Sequence, residues 1–117
     1  MGGMTAYRSG LAAEECVARR YRRQGHEIAA RRWRSKAGEI DLILRKDGNV
    51  IFVEVKKSRS FEHAALALSE RQIARIYSSA AIFLDGEPNG QNSNARFDVA
   101  LVDAGGDIRI IENAICA

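Results

Sequence analysis

Apolar positions recur at helical spacing over residues 9–24 and then give way to short apolar runs. Leu11, Ala18 and Tyr21 fall on one face, with Val17 beside them, which predicts an amphipathic helix. Gly25 suits its C-terminal stop. HEIAARRW then reads as a strand. Residues 38–45 and 49–57 are stronger strands, rich in β-branched residues and joined by Asp47-Gly48. Residues 58–68 read as loop or a short helical turn. A second helix starts at Ser69, an N-cap with Gln72 as its capping-box partner and Leu68 and Ile73 as a staple. Its apolar stripe is Ile73, Ile76, Tyr77, Ala80, Phe83 and Leu84, and Gly86 ends it. GEPNGQNSN is a surface loop, ARFDVALVD a strand, AGGD a turn, and DIRIIENA a shorter last strand. The order predicts an α/β fold, a mixed sheet with helices packed on it, in one domain over residues 1–117.

The hairpin carries the first anomaly. If Asp47 and Gly48 form a two-residue loop, Leu44 faces Ile51, Leu42 faces Val53 and Ile40 faces Val55, a wholly apolar core face. On the other face Ile43 meets Phe52, Asp41 meets Glu54 and Glu39 meets Lys56. Two carboxylates directly opposite each other are destabilising unless a cation, a proton or a lysine compensates. Departures of this kind from plain folding tend to be functional.

The first helix carries a second anomaly. Glu14 lies three residues from Leu11, four from Ala18 and seven from Tyr21, in the middle of the apolar stripe. A carboxylate there needs a partner, a proton or a metal. Glu14, Asp41 and Glu54 together make an all-oxygen donor set, which favours Mg²⁺ or Mn²⁺ over Zn²⁺. Lys56, on the same face as Glu54, can orient a water or offset phosphoryl charge. Such a centre predicts phosphodiester hydrolysis. Glu39 and Asp98 are supporting acids, Asp98 leaving the core face and pairing with Arg96 as one option. His26 and His63 read as surface residues, and Tyr21 and Trp33 as core anchors or base-stacking platforms.

Charge adds a partner. Net charge is +3 over 117 residues, and the basic residues cluster. RRYRR holds Arg22 and Arg23, RRWRSK holds Arg31, Arg32, Arg34 and Lys36, and Lys57 and Arg59 follow Lys56. These can neutralise phosphates, or they can be solvated faces. No apolar run approaches the roughly 18 residues of a membrane span, and MGGMTAYRSG lacks the apolar core of a secretory signal. Cys16 and Cys116 lack metal or redox spacing and read as free thiols of a cytoplasmic protein.

Asp41 followed by Glu54-Val55-Lys56 resembles the D…ExK signature of the restriction-endonuclease-like nucleases, and the helical Glu14 is similar to the arrangement in archaeal Holliday-junction resolvases. The whole chain resembles the YraN family of bacterial proteins, grouped with those endonucleases. Gly10 with Glu14, GEIDLI, FVEVK, RFDV and ENA carry the likeness, in order and at fitting spacing. The resemblance implies an αβββαβ nuclease core, Asp41, Glu54 and Glu14 as metal ligands, and Lys56 as catalytic lysine. By analogy with nucleases that cut paired strands it also implies a homodimer. The chain departs from the pattern at Ser58, where the family usually has arginine, at Glu62, where it usually has glycine, and at Gln72, where it usually has lysine.

The expected function is therefore a Mg²⁺-dependent endonuclease acting on DNA, with branched or structured DNA as a candidate form. The alternative is a non-catalytic nucleic-acid-binding module on a nuclease scaffold, favoured by Ser58 and Gln72. A third reading is an adaptor for a protein partner.

Overall fold

The computed structural model describes residues 2–60 and 69–114, with side chains described from residue 11 onward. Its elements are α1 (Gly2–Arg23), β1 (Glu27–Ser35), β2 (Gly38–Lys46), β3 (Asn49–Lys57), α2 (Glu70–Asp85), β4 (Asn94–Val102) and β5 (Ile108–Ile111), with a short 3₁₀ turn at Gly90–Asn92. The five strands form one mixed sheet in the order β1-β2-β3-β4-β5. Only β3 and β4 run parallel, because α2 provides the crossover that a parallel pair requires. The predicted α/β order is thus found. Leu68, the staple residue, and Phe61, Glu62, His63 and Cys116 lie outside the described residues.

Among the described residues, each face of the sheet carries one helix. Val17, Ala18 and Tyr21 of α1 pack on Leu42, Leu44, Ile51, Val53, Ala100 and Val102. Ala80 and Leu84 of α2 pack on Ile43, Val50 and Phe52, and Ile76 on Val99 and Leu101. With both faces covered, neither alternation class of a central strand is free to be polar. That accounts for the run of buried residues from Val50 to Glu54. At α2 the Ser69 hydroxyl accepts the Gln72 N–H at 3.2 Å, so the predicted N-cap is in place.

Three local expectations change. α1 begins at Gly2, well before residue 9, and its buried face includes Ala13 while Leu11 is 36% exposed. His26 is buried rather than on the surface. Gly25, at φ +92°, turns the chain so that the His26 ring stacks edge-on against Tyr21 and its Nδ1 reaches the Tyr21 carbonyl at 3.0 Å. Ile40 packs with the α2-side cluster and not with Leu42 and Leu44, because β2 leaves regular alternation at that end.

The hairpin turn is as expected. Lys46 pairs with Asn49, and Asp47 and Gly48 both have positive φ, +53° and +80°, as a type I′ turn demands. A Cβ at Gly48 would meet nothing within 4 Å, so the glycine is needed for its backbone alone. Gly48→Ala should therefore cost about 1 kcal/mol, read as a lower urea midpoint with unchanged denaturant slope.

Candidate metal and phosphodiester site

The β2–β3 ladder pairs Lys46 to Asn49, Arg45 to Val50, Leu44 to Ile51, Ile43 to Phe52 and Leu42 to Val53. There it stops. The next three expected pairs, Asp41–Glu54, Ile40–Val55 and Glu39–Lys56, are not formed. The reason is local: Asp41 Oδ2 accepts the Val55 N–H at 2.8 Å, so a side chain takes the place of a main-chain acceptor and the strands part. The opening is a cavity of about 380 Å³ lined by Glu14, Glu39, Asp41, Glu54, Lys56 and, from α2, Ser69, Gln72 and Arg75.

Gly38 lets α2 come close. At φ +149°, a Cβ on it would sit 3.3 Å from Ser79 Oγ and 3.6 Å from Arg75 Cβ. The start of β2 is thereby pressed against the middle of α2, and the helix N-terminal end, which carries partial positive charge, lines the cavity at Ser69 and Gln72. Arg75 is an addition to the residues expected from sequence. Its signal was available, since it lies one turn after Gln72 and beside the apolar stripe.

Electrostatics at the parted strands are unusual. Glu54 is 7% exposed and its Oε1 is buried without a hydrogen-bond partner. Burial, and then the neighbouring Asp41 carboxylate, push the Glu54 carboxyl up to about 8, with Lys56 opposing. Burial likewise raises Asp41, offset by the Val55 N–H, while Glu14 raises it further and Lys56 lowers it. The pair therefore keeps a proton at neutral pH unless another positive charge replaces it. Lys56 Nζ lies 4.0 Å from Glu54 Oε2, close enough to screen the carboxylate but too far for a direct hydrogen bond.

These residues fit a hard divalent cation. The orphaned Glu54 oxygen and the raised proton affinities mark a place short of positive charge, and both acids there offer carboxylate oxygens. The fit is to two carboxylates, not three. Glu14 lines the same cavity, but Arg32 holds both its oxygens, Nε to Oε2 at 2.9 Å and Nη2 to Oε1 at 3.2 Å. Among the described residues no three acidic, histidine or cysteine side chains gather closely enough to bind a metal. Two carboxylates still suffice for Mg²⁺, which commonly takes one or two and fills its shell with water and phosphate oxygens.

The basic residues do not form one patch. Lys57 and Arg59 are exposed just after Lys56 in the chain, and Lys36 is exposed on the β1–β2 turn. Arg34 is exposed and meets Glu39, its ladder partner, at 3.7 Å. Arg31 pairs with Glu15 on α1. Arg22 and Arg23 are exposed but lie by the hairpin turn, where Lys46 Nζ bonds the Gln24 carbonyl, roughly 17 Å along β2 from Asp41. Asp98 pairs with Arg96, one of the expected options, but it does not leave the core face. It is fully buried on the α1 face, where it accepts the Tyr21 hydroxyl at 2.8 Å, Arg96 Nε at 3.0 Å and the Asn113 N–H at 3.0 Å. Arg96 also lies 3.6 Å from Glu112. RFDV and ENA are thus fastened to each other and to α1, away from the parted strands.

The family model described as uncharacterised protein family UPF0102 matches residues 13–102. The chain belongs to this family. UPF0102 is the YraN family that the motifs resembled. A UPF0102 protein of Cereibacter sphaeroides (strain ATCC 17029 / ATH 2.4.9) is 58% identical over the full length of both chains. One of Roseobacter denitrificans is 53% identical over 97% of this chain and 88% of its own, and one of Dinoroseobacter shibae is 43% identical over 95% and 83%. The UPF0102 match spans every residue of the parted-strand site. No helix among the described residues is long and apolar enough to cross a membrane.

Proposed function

We propose that this UPF0102 protein is a metal-dependent endonuclease that hydrolyses phosphodiester bonds in DNA, on a restriction-endonuclease-like core. The supporting observation is the buried, unpartnered Glu54 oxygen beside Asp41 with Lys56 alongside. Asp41 and Glu54 would hold Mg²⁺ or Mn²⁺. When bound, that ion polarises the phosphoryl oxygens and lowers the pKa of water. Lys56 stands where it can orient an attacking water and offset charge on the phosphoryl group. Arg75, Gln72 and the N-terminal end of α2 face the same cavity and can receive a phosphate. Arg34, Lys36, Lys57 and Arg59, exposed on segments that adjoin site residues in the chain, would then track the flanking backbone by charge alone. By the same reading the protein works in the cytoplasm, with branched or structured DNA as candidate substrate and a homodimer as the form that cuts paired strands.

One observation favours a second reading, a nucleic-acid-binding module that does not cut. Gln72 lines the cavity at the position where the resembling family usually has lysine, which leaves one cation fewer for phosphate. A single experiment separates the two. Linear duplex, branched and single-stranded DNA, and RNA, are incubated with the protein and Mg²⁺ or Mn²⁺, alongside Asp41→Asn. Cleavage that disappears in Asp41→Asn is the expected result. Cleavage that survives the substitution removes this site assignment. Salt-dependent binding with no product under any condition selects the second reading.

A further inference from the structure

Glu14 stands between two cavities. One contains Asp41, Glu54 and Lys56, and the other is lined by Leu11, Arg31, Arg32 and Leu42. Its carboxylate is turned to Arg32, which donates to both oxygens in a two-bond fork. The pair is partly buried, with Glu14 side-chain exposure of 14%. Arg32 itself is strained. Its φ is +47°, a left-handed conformation that costs a residue with a long side chain about 1–2 kcal/mol and that asparagine or glycine adopt more easily. The ladder pairs on either side, Arg31–Leu42 and Trp33–Ile40, leave Arg32 level with Asp41. In a regular strand neighbouring side chains point to opposite faces. Here Arg31 and Arg32 both reach α1, to Glu15 and Glu14, and the left-handed residue is what breaks the alternation. Strain of this kind persists only where surrounding contacts enforce it, and it clusters at functional sites.

We infer that Arg32 is a positioning residue that withholds Glu14 from the cation site, leaving two carboxylates facing the cation and a third in reserve. The inference rests on the metal reading of the site. Glu14 already lines the right cavity, so a change of side-chain rotamer rather than of fold separates the two arrangements. What opposes that change is the charge-assisted fork to Arg32.

The test is a double-mutant cycle read by Mn²⁺ affinity without nucleic acid, from the electron paramagnetic resonance signal of free Mn²⁺. The four proteins are the wild type, Arg32→Asn, Glu14→Gln and the double variant. Arg32→Asn keeps a residue that tolerates the left-handed backbone. It should bind Mn²⁺ about tenfold more tightly, the scale on which residues behind metal ligands act. Glu14→Gln alone should change affinity little, because Glu14 is not yet a ligand. In the Arg32→Asn background the same change should remove the gain. Loss of the Arg32 charge by itself would tighten Mn²⁺ without this dependence. An additive cycle, or no gain in Arg32→Asn, therefore overturns the inference while leaving the metal site standing. Absence of any Mn²⁺ binding that Asp41→Asn abolishes overturns the metal reading and this inference together. Circular dichroism checks folding, and Arg32→Gly, which suits the same backbone, replaces Arg32→Asn if that variant does not fold.

Discussion

Glu54→Gln is expected to lower DNA cleavage by at least about a hundredfold and, in metal-free alkaline buffer, to leave a more stable protein than the wild type. The two effects share one cause. Glu54 is a carboxylate held where only a cation or a proton makes it tolerable. In the folded chain its carboxyl is pushed up from 4.5 to about 8, first by burial and next by Asp41. The folded state therefore binds a proton that the unfolded state releases across that interval. Stability from this group is fully present below about 4.5 and is lost as pH rises through about 8. Asp41 is raised as well and adds to the same slope. The wild type in chelator should thus lose thermal stability from about pH 5 to about pH 9, by an amount on the order of a few kcal/mol. Glutamine carries no charge to desolvate, so Glu54→Gln should show a flatter curve. Mg²⁺ should raise the wild-type midpoint at the alkaline end and leave that of Glu54→Gln almost unmoved. Parallel curves for the two proteins in chelator would show that Glu54 is not the strained group.

Asp98→Ala should be the most damaging single change to the fold, at about 3–5 kcal/mol. Asp98 is fully buried, and its two oxygens receive the Tyr21 hydroxyl, two Arg96 nitrogens and the Asn113 N–H. Alanine leaves the buried Tyr21 hydroxyl without its acceptor and the Arg96 charge without its nearest counterion. In the wild type burial, and then Asp98, hold the Tyr21 hydroxyl far above the ordinary tyrosine range, and burial, the larger cause, persists in the variant. Tyr21→Phe removes one donor and leaves the ion pair, and should cost only about 1–2 kcal/mol. The double variant should be less damaged than the two costs added together, since both changes break one shared bond. Urea unfolding of the four proteins measures the coupling. Strict additivity would mean that the Tyr21–Asp98 bond contributes nothing beyond packing.

Much of this was legible along the chain because it is local. The Asp-Gly turn, the Ser69 cap and the α2 stripe each depend on residues a few positions apart. The two acids of the hairpin could be placed opposite each other by counting from the turn. What counting could not show is that Asp41 would spend its carboxylate on the Val55 N–H and end the ladder there. Glu14 was correctly singled out as out of place in an apolar stripe. Its partner was not legible, because Arg32 is 18 positions away and arginine gives no hint of a left-handed backbone. Asp98 was placed off the core face because alternation sorts residues into two faces without telling that both are covered, whereas His26 lies in the turn before β1 and its burial against Tyr21 leaves no spacing to read. Where the basic clusters would fall relative to the site was not legible, because the sheet's length separates Arg22 and Arg23 from Asp41.

The Asp98 network also bears on the order of events during synthesis. Tyr21 and Asp98 are 77 positions apart, and the last donor to Asp98 comes from Asn113. A nascent chain that has exposed α1 and the first three strands holds Tyr21 with no acceptor, and one that stops at β4 holds a carboxylate with a donor missing. The fastening closes only when residue 113 has left the ribosome. Contacts this distant form slowly. Tyr21 of the first helix therefore gains its acceptor only with β4, and Asp98 its last donor only with Asn113.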